Sequence, residues 1–308
     1  MSVGQALGEG SLADDELRTP GPPRRPRRSR GATPYVLLLP GLAWLGFFFV
    51  VPLVSLFMTS LQTRVPGTLE QFQQSYRFGN YVDAVREYWP QLYRSFLYAG
   101  LATLLALAIA YPLAYCIAFK AGRWRNVLLV LVIAPFFTSF ILRTVAWRQM
   151  LGEEGPALAV LRGVGLMGAD DRLLTTPVAV VAGITYNFLP FMTLPLYASL
   201  ERVDPRLIEA AGDLYAGAFT AFRKVTLPLS MPGVVAGTLL TFIPASGDYV
   251  NAALLGNSRT TMVGNVIESR FLRVVDYPTA ATLSFALMVA ILVIVTVYIR
   301  RAGTEELV

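Results

Sequence analysis

The chain has 308 residues, of which 55% are hydrophobic and only 15% charged, a balance outside that of a soluble domain. Mean hydropathy is +0.53 and the formal net charge is +6. There is no histidine and a single cysteine, Cys116, which removes the usual general base, the Ser-His-Asp triad, internal disulfides and Cys/His zinc cages. The two lysines, Lys120 and Lys224, precede Ala121 and Val225, whereas a phosphate-cradling GxxxxGK[ST] loop needs Ser or Thr after its lysine. The chain is therefore not expected to be an enzyme or to hold a metal, and any ATP chemistry belongs to another chain.

Residues 1–33 are rich in Gly, Pro and Arg and show no apolar period, which reads as a disordered basic tail. Its run Arg24-Arg25-Pro26-Arg27-Arg28-Ser29-Arg30 lies directly before the first apolar segment, where membrane orientation calls for cations and a nucleic-acid role is not needed to explain them. Six windows then carry no charged residue: 31–63, 95–119, 126–142, 173–200, 225–247 and 277–299. A crossing needs about 20 apolar helical residues, and the next longest gap, 249–258, falls well short. The windows predict an all-α membrane domain over 34–301, with spans at about 35–60, 94–119, 126–147, 176–200, 229–249 and 278–299, followed by a short tail at 302–308.

Between spans one and two, Asn80 to Trp89 is amphipathic and reads as an interfacial helix, with Pro90 starting the approach to span two. The stretch 148–177 mixes Gly, Pro and charges without the makings of a separate domain. Residues 31–142 and 173–299 show no internal repeat, so a second membrane chain is expected to complete any symmetric route. Of the 26 cations, fifteen fall in segments 1–30, 120–125, 201–224 and 300–308, and the tight loop Lys120-Ala121-Gly122-Arg123-Trp124-Arg125 holds three. Both termini are accordingly expected on the cytoplasmic side.

The segment 201–228 carries the most specific signal. Asp204-Pro205 is a helix start, since the carboxylate accepts from first-turn amides and proline suits the first helical position. Ile208, Ala211, Tyr215, Phe219 and Phe222 recur at spacings of three and four, predicting one apolar face, with Arg206, Glu209 and Asp213 on another.

These residues resemble the permease subunits of bacterial ATP-binding-cassette (ABC) importers, whose signature is EAA, three residues, Gly, nine residues, then Ile-x-Leu-Pro. Glu209-Ala210-Ala211 and Val225-Thr226-Leu227-Pro228 stand in that register, with Tyr215 where the family has glycine and Gly217 two residues on expected to supply the flexibility of the turn. The resemblance implies a type I importer permease fold of six transmembrane helices with a cytoplasmic coupling helix. Its ATPase-coupling residues would be Glu209, Ala210, Ala211, Asp213, Tyr215, Gly217, Leu227 and Pro228. It implies a homologous second permease, two copies of a cytoplasmic ATPase holding ATP and Mg2+, an extracytoplasmic substrate-binding protein, and a place in the bacterial inner membrane, with no cofactor on this chain. Small Ala210 and Ala211 let such a helix sit close to another surface, and Glu209 can pair with a basic residue there.

A narrower resemblance, over nearly the whole chain beyond residue 34, is to the first permease of spermidine/putrescine-type importers. It rests on Tyr111-Pro112-Leu113-Ala114-Tyr115, Arg143-Thr144-Val145-Ala146-Trp147, the run Tyr186 to Tyr197, Ala210 to Ala216, and Phe242 to Val250 leading into Leu254-Leu255-Gly256. Departures occur at Asn251, Ala252 and Gly155-Pro156-Ala157. A linear polyamine cation wants aromatic faces and a few carboxylates along its route, which makes Tyr186, Asn187, Tyr197, Asp248, Tyr249 and Trp147 the candidate pathway residues. Asp248 closes the fifth window and is placed near the external face, with Glu268 and Asp276 as weaker acids in the following loop; Arg143 and Arg148 are expected to snorkel outward. Other small solutes, such as opines, amino-acid-like compounds, iron or sulfate, fit the same architecture. An ATP-independent secondary transporter would need charges inside the spans, and the windows have none.

Overall fold

The computed structural model describes residues 33–65, 67–68, 71–168 and 171–302; the terminal segments 1–32 and 303–308, with most of the basic tail, lie outside them. The chain falls into two compact units, Met1–Val51 and Pro52–Val308. The described part of the first is helical, Thr33–Leu45 running into a π turn at Gly46–Val50. Its side chains from Leu37 to Val51 are apolar all round and exposed or half-exposed, as in a helix whose solvent is lipid.

Four helical stretches among the described residues are long and apolar enough to cross a membrane, Leu37–Ser60, Gly79–Lys120, Pro177–Leu200 and Tyr277–Arg301, and two bent helix pairs bring the number of candidate spans to six. A two-stranded antiparallel hairpin, Gln62–Arg64 with Phe72–Gln74, follows the first stretch, Gln62 opposite Gln74.

Helix Gly79–Tyr115 starts well before the predicted edge of span two at 94, because the expected interfacial helix and the span join across a kink. Tyr88 leaves helical geometry there (φ −106°, ψ 17°), two residues before Pro90, whose ring displaces one backbone hydrogen bond. The 42 residues of Gly79–Lys120 would reach about 60 Å if straight, twice the hydrocarbon thickness, so the kink turns the first part aside.

Span four, Pro177–Leu200, is the most buried span. Thr176 caps it by accepting from the Ala179 amide at 3.2 Å, and Pro177 takes the first helical position. Span two presents Ala99, Ala102, Ala106, Ala110 and Ala114 to the interior, all fully buried, a small-residue stripe at spacings of three and four. Span four answers it with Ile184, Phe188, Met192, Leu196 and Leu200. On its other flank span five brings Gly233 and Gly237 so close that an added Cβ would lie 2.7 Å from the Pro195 carbonyl oxygen and 3.0 Å from that of Met192.

Two predicted spans are not straight. Span three breaks between Gly122–Phe137 and Phe140–Gly163 with a bend of 97°. A 3-10 turn carrying Pro135 ends at an extended Thr138, and helix Phe140–Leu151 sets off in a new direction. Span five bends by 64° at Ser230, bracketed by Pro228 and Pro232, and its helix Met231–Ser246 stops short of the predicted 249. After a break at Gly247 to Tyr249 a short helix, Val250–Leu255, runs back along span four until the Leu255 carbonyl accepts from the Thr175 amide at 2.9 Å. Span six, Tyr277–Ala302, packs Leu283 and Leu287 against Ala84, Tyr88, Leu92 and Val263.

Replacing Gly233 by Val should separate spans four and five and lower stability by about 1–3 kcal/mol. Gly100, in span two, has nothing within 4 Å of an added Cβ, so Gly100→Ala should leave stability unchanged or slightly raised. Thermal unfolding of both variants in one detergent checks this; equal midpoints would contradict the close packing described.

Candidate functional site

The segment after span four begins on an anchored base. Arg125, at the start of the first half of span three, donates through Nη2 to Glu201 and through Nε to the Tyr197 hydroxyl, its guanidinium lying over the Tyr197 ring. From there Asp204 caps helix Pro205–Asp213, its Oδ1 accepting from the Arg206 amide at 2.9 Å. No residue of this helix is buried, and Glu209 and Ala210 are exposed with no ion pair to Glu209 among the described residues.

The single apolar face predicted through Phe222 does not form, because the helix ends at Asp213. The Tyr215 amide donates to the Gly212 carbonyl at 2.9 Å and the Ala216 amide to that of Ala211 at 3.0 Å, the paired bonds of a Schellman cap. That cap needs a left-handed residue, and Tyr215 takes it with φ 60°. A side chain there costs about 1–2 kcal/mol relative to glycine. The turn therefore closes fully with tyrosine in place of glycine. Gly217 does not supply the freedom expected of it, since its backbone is extended (φ −63°, ψ 157°) and starts the next helix, Ala218–Ala221. Tyr215 itself is 99% exposed.

The loop returns to the spans through aromatic and hydroxyl contacts. Phe222 meets Tyr111 edge-on at 5.5 Å and Tyr115 at 6.5 Å, and the Tyr111 and Ser230 hydroxyls share a hydrogen bond of 2.7 Å. Thr226 and Ser230 are buried, Leu227 half-buried and Pro228 exposed, so the Val225 to Pro228 part forms the hinge into span five.

A second constellation lies inside the bundle. Asp248 sits in the break after span five, 6% exposed, rather than at the outer end where the charge pattern places it. Its carboxylate accepts from the Asn251 amide at 3.0 Å and from Asn251 Nδ2. Asn251 Oδ1 accepts from Asn187 Nδ2 at 3.1 Å, and the same Nδ2 lies 3.2 Å from Thr144 Oγ1. Asn187 is ten residues into span four, about 15 Å from its start, which sets the cluster deep in the membrane. Asn187 Oδ1 is buried without a partner.

Other candidate residues separate from this group. Trp147 and Tyr186 pair with ring centroids 5.2 Å apart, Tyr249 is exposed and offers its carbonyl to Asn265 Nδ2, and Tyr197 is engaged by Arg125 at the opposite end of span four. Glu268 and Asp276 lie 3.4 Å and 3.6 Å from Arg273 and Arg270, whereas Asp248 has no ion pair among the described residues. Arg148 is exposed, but Arg143 does not snorkel: it is 9% exposed, its guanidinium 5.6 Å and 5.7 Å from the Phe136 and Phe140 ring centres, with Nε and Nη1 lacking hydrogen-bond partners. Thr144 and Asn251 were not marked as pathway residues by the sequence; the spacing of Asn251 three residues after Asp248, a capping interval, is the signal available for one of them.

Comparison with known proteins gives the family to which the chain belongs. Residues 106–302 match the model of the family described as "Binding-protein-dependent transport system inner membrane component". A Haemophilus influenzae protein named spermidine/putrescine transport system permease protein PotB is 37% identical over 84% of this chain and 90% of its own length. The Escherichia coli protein of that name is 34% identical over 85% of this chain and 94% of its own. Among solved structures, a chain of a bacterial ABC transporter involved in alginate import superposes with a TM-score of 0.68 at 20% identity, covering 88% of this chain and 94% of that one. A chain of the MetNI methionine ABC transporter does so at 0.51 and 19%, covering 71% and 94%. With six apolar crossings, a signature-bearing loop between the fourth and fifth, and a family match over most of its length, the chain belongs to the inner membrane components of binding-protein-dependent transport systems.

Proposed function

We propose that this chain is one of two permease subunits of an ABC importer for polyamines, spermidine or putrescine, and that helix Pro205–Asp213 is where its ATPase subunit docks. The observation that carries the substrate is the identity of 34–37%, over nearly the full length, to relatives named for spermidine and putrescine transport. Asp248 is the chemical counterpart: a buried carboxylate with hydrogen bonds but no ion pair among the described residues, at a helix break deep in the membrane, where transporters commonly hold charged cargo. The likeness to an alginate importer, at 20% identity, speaks to fold and not to cargo.

In this reading the cation-dense loop Lys120 to Arg125 and the segment 201–228 face the cytoplasm. Two ATPase copies below supply ATP chemistry that this chain lacks, and a binding protein outside delivers the cargo. ATPase closure pushes on the exposed helix; Glu209 meets a basic residue of the partner, and Ala210 and Ala211 allow close approach. The push reaches span two through Phe222 and the Tyr111–Ser230 hydrogen bond, and spans three and four through Arg125 and Glu201. Alternation between inward and outward openings then carries a linear cation past Asp248, with Trp147 and Tyr186 as an aromatic surface beside the route.

Two measurements check this. Glu209→Lys should leave the protein in the membrane at normal yield while the ATPase no longer co-purifies; recovery of the ATPase at wild-type yield would falsify the docking helix. Asp248→Asn keeps the shape and removes the charge, so uptake of labelled spermidine should fall ~10-fold or more. Unchanged affinity and rate would take Asp248 off the route.

A further inference from the structure

Tyr215 is in the left-handed region, which an L side chain enters against steric resistance, and its ring is 99% exposed. The fold gains nothing visible from that ring: it packs on no neighbour, and glycine would close the same Schellman cap without strain. A strained residue whose side chain is spent on solvent points to a use outside the chain.

The surroundings have the anatomy of a protein interface. Leu214 is 81% exposed, Phe219 73%, and Leu207 about half, so four large apolar side chains are uncovered on the loop, at its turn and on the short helices either side. Arg206, Glu209, Asp213, Arg223 and Lys224 are exposed on the same loop. A charged rim around aromatic and aliphatic residues is the pattern of a binding hot spot, and these charges keep the loop out of hydrocarbon. The occupant is set by what the chain lacks. It has no phosphate-cradling loop of its own, and the solved structures it superposes on belong to ATP-driven transporters.

We infer that Tyr215 is the anchor by which this permease selects its own ATPase subunit, its ring entering an apolar pocket of that subunit while Leu214 and Phe219 seal around it. The inference rests on the reading that the loop docks an ATPase, and it adds which residue makes the pairing specific. Strain in the free permease is the cost of an anchor fixed outward before the partner arrives, so that little side-chain freedom is lost on docking.

Stability and association should move in opposite directions. In the permease pair reconstituted in nanodiscs without ATPase, Tyr215→Gly should raise the thermal midpoint by about a few degrees, through relief of the left-handed strain. The same variant should weaken binding of the purified ATPase ~10-fold or more. Tyr215→Phe should bind as the wild type, because the ring and not the hydroxyl is the anchor, and Tyr215→Ala should lose affinity like Tyr215→Gly. An ATPase from a different importer, refused by the wild type, should gain affinity for Tyr215→Gly. Wild-type affinity of Tyr215→Gly for its own ATPase overturns the inference, including the case in which the ring merely rests on the lipid surface. Glu209→Lys run beside it separates the two ideas. If Glu209→Lys loses the ATPase and Tyr215→Gly does not, the docking helix stands and the anchor falls. If neither loses it, the docking reading fails as well.

Discussion

Close approach of span four to its neighbours is the constraint on which the rest of the second unit depends. Helices in lipid gain little from hiding apolar surface, because the solvent is as apolar as the side chains, and they hold together by tight packing instead. The alanine stripe of span two and Gly233 and Gly237 of span five let two backbones come against Pro177–Leu200 from different sides. A further element packs on span four beside them. Helix Val250–Leu255 runs back along it with Leu255 and Asn251 meeting Gly183, where an added Cβ would lie 2.3 Å from Leu255 Cδ1.

Breaks inside a membrane expose backbone groups that only the protein can satisfy. The break after span five is met by side chains: the Asp248 carboxylate accepts from the Asn251 amide, Asn251 Oδ1 accepts from Asn187 Nδ2, and Asn187 Nδ2 also donates to Thr144 Oγ1. The same arrangement that patches the backbone gathers a carboxylate and amide oxygens deep in the bundle. The Arg143 guanidinium rests on Phe136 and Phe140, and among the described residues the buried acid Asp248 makes no ion pair with it.

Charge-free windows located the spans because a charge in hydrocarbon is costly wherever it falls in the helix. They carry no directional information, which is why the bends at Thr138 and Ser230 were not legible even though Pro135, Pro228 and Pro232 flank them: proline is frequent in membrane helices and most instances bend them little. The position of Asp248 followed the same error, since the end of a charge-free window was taken for the end of a crossing. The helix after span four was readable from Asp204-Pro205, which caps and starts it. Its end was not, because helical periodicity ran past Asp213 by coincidence, and only backbone geometry places Tyr215 in the left-handed region. Arg143 misled for a different reason: a long cationic chain near a span end snorkels by default, and burial over two phenyl rings depends on a bend the sequence does not announce.

These features meet in one mechanical argument. Spans two, four and five are joined by close-packed apolar contacts, two of them at glycines where the backbones nearly touch. Helix Phe140–Leu151 and helix Val250–Leu255 are attached through breaks, and the link between them and span four includes hydrogen bonds among Thr144, Asn187, Asn251 and Asp248. The bonds among Thr144, Asn187 and Asn251 join neutral groups and exchange partners at small net cost, unlike a close-packed helix pair. In the proposed transport cycle, a loop movement passed on through Arg125, Phe222 and Ser230 reaches the packed body, and the polar cluster is where that body meets helices Phe140–Leu151 and Val250–Leu255. On that proposal a cation at this junction meets the Asp248 carboxylate, whose partners are the backbone and side-chain amides of Asn251.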